Sequence, residues 1–337
     1  METKFWTPQE TRVASVSIAL GRQGEDHVRV LVTRRDSFGD VLCTTPVIRR
    51  LRKELGPGAT INVHTFYPYV FSGNDDVDLA SNGNDMHVRW GDPRIHTGPA
   101  TPGSMLDLSG NYDRVIDLNL AFEKRFRKVQ AVDAYMEEVF GDRGPDADKG
   151  VVLASVPVPN LDMELGGAII MHPARSERLR TLPKAFWQQL VDELVLRGKL
   201  IITVGTSQDY DLNNVHRDTR NHLNPQQQAA LIRAAACLVA SESGILGGIL
   251  PATDTPAVGL LTMSLPETCG PYRLGGLCKR FYPVLAKVDC VGCSLRYDHV
   301  ITAHGCLENR DYACVNTFDP VEVADKVIEA AETGRDE

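Results

Sequence analysis

The hydrophobic and polar positions of this chain fall into repeated units, each a short apolar run followed by a longer helical pattern. In the clearest unit, a largely apolar, β-branched run occupies positions 28–33, a polar turn contains Gly39, and apolar residues recur at helical spacing over 47–55. Thr45 suits the N-cap of that helix and Pro46 its first position. We therefore predict a buried strand, a tight glycine turn and a helix, the arrangement in which open α/β sheets bind ligands.

Similar units fill the rest of the chain. Strand-like runs recur at 60–64, 114–118, 151–156, 168–171, 200–204, 237–240 and 257–261, and helical patterns at 121–140, 184–197, 225–235 and 319–333. Two successive β/α series, separated by a Gly- and Pro-rich boundary within 141–166, predict an α/β protein of two Rossmann-like domains that face each other across a cleft. We assign 1–155 to the first domain, 156–318 to the second, and 319–337 to a terminal helix that packs back toward the first.

The composition is that of an ordinary globular protein, with 337 residues, 43% hydrophobic and 24% charged. Its net charge of −8 argues against nucleic-acid binding, which depends on neutralising phosphates. No apolar run reaches the roughly 18 residues of a membrane span, and the N-terminus lacks the apolar region of a secretory signal. We therefore expect a cytoplasmic protein whose eight cysteines are thiols or metal ligands; its oligomeric state stays open.

The turn after the first strand carries two carboxylates, Asp36 and Asp40, around Ser37, Phe38 and Gly39. Gly39 allows the backbone to turn sharply or to approach a ligand closely. Asp40 follows at the mouth of the helix, where it either offsets the helix dipole as a cap or acts as a general base that deprotonates an acceptor hydroxyl. Spacing alone leaves both interpretations open.

The whole run T-R-R-D-S-F-G-D-V-L-C-T-T-P resembles the opening of the family 9 glycosyltransferases, the group that contains the ADP-heptose:lipopolysaccharide heptosyltransferases. Those enzymes begin with a strand, a turn of small or polar residues ending in Gly-Asp-Val, and a Thr-Pro helix. The resemblance implies a glycosyltransferase-B fold, with Asp40 as the catalytic base.

A basic cluster at Lys124, Arg125, Arg127 and Lys128 lies in the first half of the 121–140 helical pattern. Clusters of this kind often form only a solvated face. The resemblance implies a second interpretation, because heptosyltransferases use basic residues of the N-terminal domain to hold acceptor phosphates and carboxylates. We therefore retain Lys124, Arg125 and Arg127 as candidate acceptor-binding residues.

The loop H-P-A-R-S-E-R-L-R-T-L-P at 172–183 is similar to the family's second signature. Counting back from Pro183, Arg180 occupies the position that contacts phosphate in the family, and Arg175 and Arg178 are weaker helpers. A guanidinium can hold a departing diphosphate bidentately as its charge grows. The alternative is that these arginines are surface loop residues.

The turn E-S-G at 242–244 is similar to the third signature, whose amides meet the donor diphosphate. Ser243 and Gly244 at a helix N-terminus would present N–H groups to that phosphate. Glu242 stands where the family usually has Asp, and Gly247 where it has His, so the donor sugar stays open. Nothing in the sequence reads as a D-x-D metal–diphosphate site, so we expect arginine and backbone amides to stabilise the charge. Weaker donor-site candidates at the preceding strand end are Gly205 and Thr206.

The spacing Cys290-x2-Cys293-x12-Cys306-x7-Cys314 predicts a tetrahedral thiolate metal site, with zinc the first choice and iron the second. Free thiols and oxidised pairs are the alternatives. The resemblance agrees with a metal, because protein-modifying heptosyltransferases carry a metal-bound cysteine cluster. Apart from His304, no further ligand suggests an open position, so we expect a structural metal and no catalytic one. Two cysteines outside the pattern are Cys269 and Cys278.

The three signatures together span most of 28–333. They imply a glycosyltransferase that uses a nucleotide-diphosphate sugar, with ADP-heptose the leading donor, by direct displacement at the anomeric carbon. The acceptor would be a glycan, a lipopolysaccharide core or a protein. Two alternatives stay open: a nucleotide-sugar 2-epimerase of the same architecture, and a non-catalytic protein that binds sugar nucleotides or serves in assembly.

Overall fold

The computed structural model contains two parallel β-sheets with helices packed against them. It describes residues 27–82, 112–125, 129–154, 156, 158, 165–175, 177–273, 276–277, 279–295, 305–306, 308 and 310–333. Among the residues singled out above, Arg127, Lys128, Cys278, His304 and the side chain of Lys124 lie outside this part of the chain. No helix within the described ranges has the length and apolar character needed to cross a membrane.

The first sheet has four parallel strands in the order β3-β2-β1-β4. The strands are β1 (Arg29–Thr33), β2 (Thr60–His64), β3 (Leu79–Ser81) and β4 (Arg114–Asp117). In the central strand β1, Val30, Leu31 and Val32 are fully buried because helices cover both faces of the sheet. The apolar run at 28–33 therefore predicted this strand correctly.

Four described helices accompany this sheet: α1 (Phe38–Leu42), α2 (Thr45–Leu55), α3 (Ala121–Arg125) and α4 (Ala131–Phe140). The predicted glycine turn is therefore itself a short helix, and Thr44 rather than Thr45 is the N-cap of α2. The single helix predicted over 121–140 is wrong, because Gln130 adopts an extended conformation and α4 begins only after it.

The second sheet has six strands in the order β12-β9-β8-β5-β6-β7, all parallel. They are β5 (Ala168–His172), β6 (Leu200–Thr203), β7 (Arg217–Asp218), β8 (Cys237–Ser241), β9 (Ala257–Leu261) and β12 (Phe281–Leu285). A small antiparallel hairpin is formed by β10 (Tyr272–Arg273) and β11 (Gly276–Leu277). Two parallel sheets of this kind confirm the predicted α/β class.

The helices of the second half are α5 (Lys184–Leu196), α6 (Pro225–Ala234), α7 (Pro266–Cys269) and α8 (Pro320–Thr333). Helix α6 begins with a capping box in which the Asn224 side chain accepts from the Gln227 amide, and the Gln227 side chain accepts from the Asn224 amide. This cap and Pro225 fix the start of α6 where the sequence predicts it.

Two predictions about the chain path are wrong. Helix α8 does not return to the first sheet but makes its main contacts with α5, β8 and β9, because its buried residues Val323, Val327 and Ala330 join the core of the second half. Residues 151–154 form no strand. Instead, the Val152 amide donates to the Thr45 hydroxyl at 2.9 Å, so this backbone packs on the start of α2. The domain boundary at 155/156 stays a prediction.

The two halves meet where Gly39 of α1 lies against a π-helical turn at Ile245–Ile249 and the residue before it. A Cβ atom on Gly248 would lie 2.8 Å from the Gly39 Cα, and one on Gly39 would lie 3.1 Å from the Gly244 Cα. Both distances are shorter than ordinary van der Waals contact, so the backbones approach this closely only because all three residues are glycines.

We expect Gly248→Ala to lower the free energy of unfolding by about 1–3 kcal/mol, because the added methyl group must push the backbone of α1 away. Gly247→Ala is the matched control, since nothing lies within 4 Å of a Cβ at that position. Urea unfolding of both variants measures the difference. Equal stability of the two variants would show that the glycine contact does not constrain the fold.

Candidate active site

A cleft of about 410 Å³ opens between the loops that follow the carboxyl ends of strands from both sheets. This is the edge at which open parallel sheets bind ligands. The first half contributes residues from α1, α3 and the start of α4, and the second half contributes the loops after β5, β8 and β9. The predicted site residues that line it are Ser37, Gly39, Asp40, Arg180, Glu242, Ser243 and Gly244.

Asp40 is held in the cleft wall by Arg34, a buried residue that follows β1. One terminal nitrogen of Arg34, Nη2, donates both to Asp40 Oδ2 at 2.7 Å and to Glu123 Oε1 at 2.8 Å. The other, Nη1, donates to Glu123 Oε2 at 3.1 Å and to the carbonyl oxygens of Leu118 and Asn119. A single guanidinium therefore fixes two cleft carboxylates, one on α1 and one on α3.

The charge of Arg34 is stable in this buried setting. Burial by itself lowers the pKa of Arg34, but Tyr135, Asp40 and Glu123 outweigh it and raise the pKa above the usual arginine value. The Asp40 side chain accepts a hydrogen bond from Arg34, and the N-cap positions of α1 and α2 are Ser37 and Thr44. Within the described residues no hydrogen bond to Asp40 Oδ1 is found, and the side chain is 23% exposed and lines the cleft.

Arg180 lines the cleft from a short helical turn, Arg178–Arg180, that follows β5. Its Nη2 forms an ion pair of 2.8 Å with Glu177 Oε1, and both side chains line the cleft. The Arg180 Nε atom is buried and has no hydrogen-bond partner among the described residues. The guanidinium is therefore oriented by Glu177 and retains an unused donor.

Glu242 lines the cleft but is mainly occupied in holding the loop after β9. Its Oε1 accepts hydrogen bonds from the amides of Thr262 at 2.6 Å, Met263 at 2.9 Å and Ser264 at 3.3 Å. A carboxylate in this position serves as an anchor for three successive amides. The neighbouring Ser243 and Gly244 form the part of the signature that faces the cleft.

Behind Ser243 lie two residues that sequence reasoning missed, His172 and Asp209. The Ser243 Oγ lies 3.0 Å from His172 Nδ1, and His172 Nε2 lies 3.6 Å from Asp209 Oδ2. Burial raises the pKa of Asp209, but His172 and the amides of Thr206 and Arg175 more than offset this and lower it to about 2. One sequence feature could have indicated His172, because this residue is the first of the 172–183 signature and lies at a predicted strand end.

Three of the weaker donor-site candidates surround Asp209 and are not among the residues that line the cleft. The amides of Arg175 and Thr206 donate to Asp209 at 2.9 and 2.7 Å, and the Arg175 guanidinium lies over the Tyr210 ring. Gly205 has a φ of +129°, and a Cβ there would lie 2.3 Å from Asp209 Oδ2. These residues hold Asp209 in place and do not face the cleft.

Arg125, predicted to bind the acceptor, lies outside the cleft lining. It bonds Glu137 at 3.0 Å and Glu138 at 2.9 Å on α4. The wall on that side consists instead of Phe122, Glu123, Gln130 and neighbouring apolar residues. Phe38 packs edge-on against Tyr67 and is likewise not a lining residue.

The four cysteines of the predicted metal site approach one another. Burial raises the pKa of Cys314 to about 11, and Cys293, Cys290 and Cys306 add to that rise, so all three thiols lie within electrostatic range of it. In the part of the chain that the structure describes, however, no three His, Cys, Asp or Glu side chains are arranged to hold a metal ion. Cys269 lies apart from this group and lines the cleft.

No protein-family model matches the sequence, and no curated protein matches it significantly. Several solved structures share its fold. A family 9 glycosyltransferase from Veillonella parvula is 16% identical, with a TM-score of 0.65 over 93% of this chain and 99% of that one. The iron-containing dodecameric glycosyltransferase TibC from enterotoxigenic E. coli is 16% identical, with a TM-score of 0.64 over 92% of this chain and 77% of that one.

The E. coli ADP-heptose lipopolysaccharide heptosyltransferase II is 15% identical, with a TM-score of 0.59 over 91% of this chain and all of that one. TibC has also been solved in complex with ADP-D-β-D-heptose. At these identities the likeness establishes the fold. The predicted glycosyltransferase-B architecture is therefore confirmed.

Proposed function

We propose that this protein is a glycosyltransferase that moves a sugar from a nucleoside-diphosphate sugar to an acceptor hydroxyl by direct displacement. The observation that carries the proposal is that Asp40 from one half and Arg180, Ser243 and Gly244 from the other line a single cleft. A general base from one half and anion-binding groups from the other suit a reaction in which a hydroxyl attacks while a diphosphate departs.

Asp40 is the general base of this proposal. The acceptor oxygen forms its bond to the anomeric carbon as the bond from that carbon to the diphosphate oxygen breaks, and the hydroxyl proton passes to Asp40. Arg34 supports this role because it holds the carboxylate through Oδ2 at 2.7 Å while the residue lines the cleft. One such displacement inverts the anomeric configuration.

Arg180 and the amides of Ser243 and Gly244 hold the departing diphosphate. The position of Arg180 in the cleft lining and its ion pair with Glu177 support this assignment, because they give an oriented guanidinium. Backbone amides at the start of a helical turn add further donors. ADP-heptose is the donor we favour, since it is bound by TibC and named for heptosyltransferase II.

The acceptor in this proposal is a glycan, a lipopolysaccharide core or a protein hydroxyl. The 2-epimerase alternative calls for acidic and histidine side chains in the cleft. The lining that the structure describes has carboxylates at Asp40, Glu123, Glu177 and Glu242 but no histidine. This distribution favours transfer over epimerisation.

Cys290, Cys293, Cys306 and Cys314 are the proposed ligands of one structural zinc or iron ion. Their spacing and the electrostatic influence of the other three thiols on Cys314 support the assignment, and the TibC structure is described as iron-containing. Four thiolates would complete a tetrahedral shell and leave no position for substrate. The ion would therefore contribute to folding and not to the transfer step.

Asp40→Asn should reduce turnover at least about a hundredfold while donor binding persists, because the amide keeps the size of the carboxylate but cannot accept the proton. Asp36→Asn is the control, an exposed carboxylate in the same turn. Initial rates and donor affinity are measured for both variants. Near-normal turnover in Asp40→Asn would remove Asp40 as the base.

Arg180→Ala should weaken nucleoside-diphosphate binding by about 1.5–3 kcal/mol, the range for a charge-assisted hydrogen bond. Arg178→Ala is the control, because Arg178 belongs to the same helical turn but its side chain is 73% exposed and lies over Tyr312. Calorimetric titration with ADP compares the two. Unchanged affinity in Arg180→Ala would exclude Arg180 from the donor site.

Cys293→Ser should lower metal content and stability together, since a metal that closes this segment contributes folding energy directly. Cys269→Ser, which changes a thiol outside the four, should retain the metal. Elemental analysis and thermal unfolding of protein purified without added metal are the measurements. Fully folded, active protein without metal would refute the site, as would a folded Cys293→Ser protein that has lost all turnover.

A further inference from the structure

Three side chains in contact, Ser243, His172 and Asp209, lead from the cleft into the second half of the protein. Ser243 lies at the cleft wall, and behind it His172 and Asp209 are 6% and 8% exposed. We propose that His172 and Asp209 are positioning residues that orient the Ser243 hydroxyl toward the leaving diphosphate. This inference rests on the proposed function, because it assigns these residues to the diphosphate subsite of the same cleft.

The imidazole of His172 is fixed through both nitrogens. Its Nδ1 lies 3.0 Å from Ser243 Oγ, and its Nε2 lies 3.6 Å from Asp209 Oδ2. Asp209 in turn accepts from the amides of Arg175 and Thr206 and from the Thr206 hydroxyl at 3.2 Å. These hydrogen bonds fix the position of the Asp209 carboxylate, and the fixed carboxylate holds the His172 ring in one orientation.

Gly205 provides the space that the His172–Asp209 pair occupies. A Cβ on Gly205 would lie 2.3 Å from Asp209 Oδ2 and 3.0 Å from His172 Cδ2. Gly205 also has a φ of +129°, which is unfavourable for other residues. The strand end at 203–206 is thus shaped around the His172–Asp209 contact.

The Ser243 hydroxyl has one hydrogen and two lone pairs. The Leu246 amide, 3.3 Å from Oγ, donates to one lone pair. When His172 Nδ1 carries a hydrogen, it donates that hydrogen to the second lone pair. The hydroxyl hydrogen is then left for the cleft, where a diphosphate oxygen can accept it. A bound diphosphate oxygen therefore favours the arrangement in which His172 Nδ1–H donates to Ser243 Oγ.

Two substitutions of His172 separate its two nitrogens. The side-chain amide nitrogen of His172→Asn lies near the position of Nδ1 and can still donate to Ser243, whereas that of His172→Gln lies near Nε2 and reaches only Asp209. With ADP as the probe, and GDP and UDP in parallel, we expect His172→Gln to weaken binding about five- to tenfold, as Ser243→Ala does. His172→Asn should restore affinity to within about twofold of the unmodified protein.

A double-mutant cycle tests whether His172 acts through Ser243. The affinity of His172→Gln/Ser243→Ala should equal that of Ser243→Ala alone, because the second change removes nothing further. Additive losses, or equal losses in the Asn and Gln variants, would overturn the inference. Thermal unfolding of each variant identifies losses that arise only from destabilisation.

Nitrogen NMR of His172 gives a second test that needs no His172 variant. Saturating ADP should shift the Nδ1 resonance in the unmodified protein and leave it unchanged in Ser243→Ala. If saturating ADP leaves the Nδ1 chemical shift of the unmodified protein unchanged, the inference is wrong. Failure of the proposed function has a different signature, because the unmodified protein would then bind none of the three nucleoside diphosphates, and this inference would fall with it.

Discussion

The backbone contact of Gly39 with Gly244 and Gly248 is the constraint on which the cleft depends. Loops follow the carboxyl ends of the strands in both sheets. Loops from the two sheets can form one cleft only if their backbones come into contact. With no side chains between them, α1 lies directly on the π-helical turn, and a Cβ at Gly248 would already lie 2.8 Å from the Gly39 Cα. Asp40 and Ser243 follow and precede these glycines, so the same contact brings them to one cleft.

Electrostatic pairing fixes the side chains that this contact brings together. Arg34 is shared between Asp40 and Glu123, and Arg180 is paired with Glu177. Each pair is partly or fully buried, where a charge is stable only with a partner. The cleft is therefore organised before a substrate arrives, which is what stabilisation of a developing charge requires.

The sequence predicted the α/β class, the facing loops and the central strands, because β-branched runs and glycine turns are local signals. It did not predict β3, β7 or β12, and the strand it placed at 151–156 does not form at 151–154. It did not predict which side chains of a loop face the cleft. Arg125 turns to Glu137 and Glu138 on α4, and Arg175 and Thr206 donate their amides to Asp209. Partners distant in sequence decide these orientations, and they likewise decide that α8 packs on the second sheet.

The central claim is that the cleft transfers a sugar and releases a nucleoside diphosphate. The most direct measurement follows diphosphate release from ADP-heptose, and from GDP- and UDP-sugars, first with donor alone and then with glycan, lipopolysaccharide-core and protein acceptors. The account predicts slow release with donor alone, and faster release with an acceptor that gains one sugar per diphosphate formed. Interconversion of the nucleotide sugar without an acceptor, or binding without any release from the full set, would contradict it.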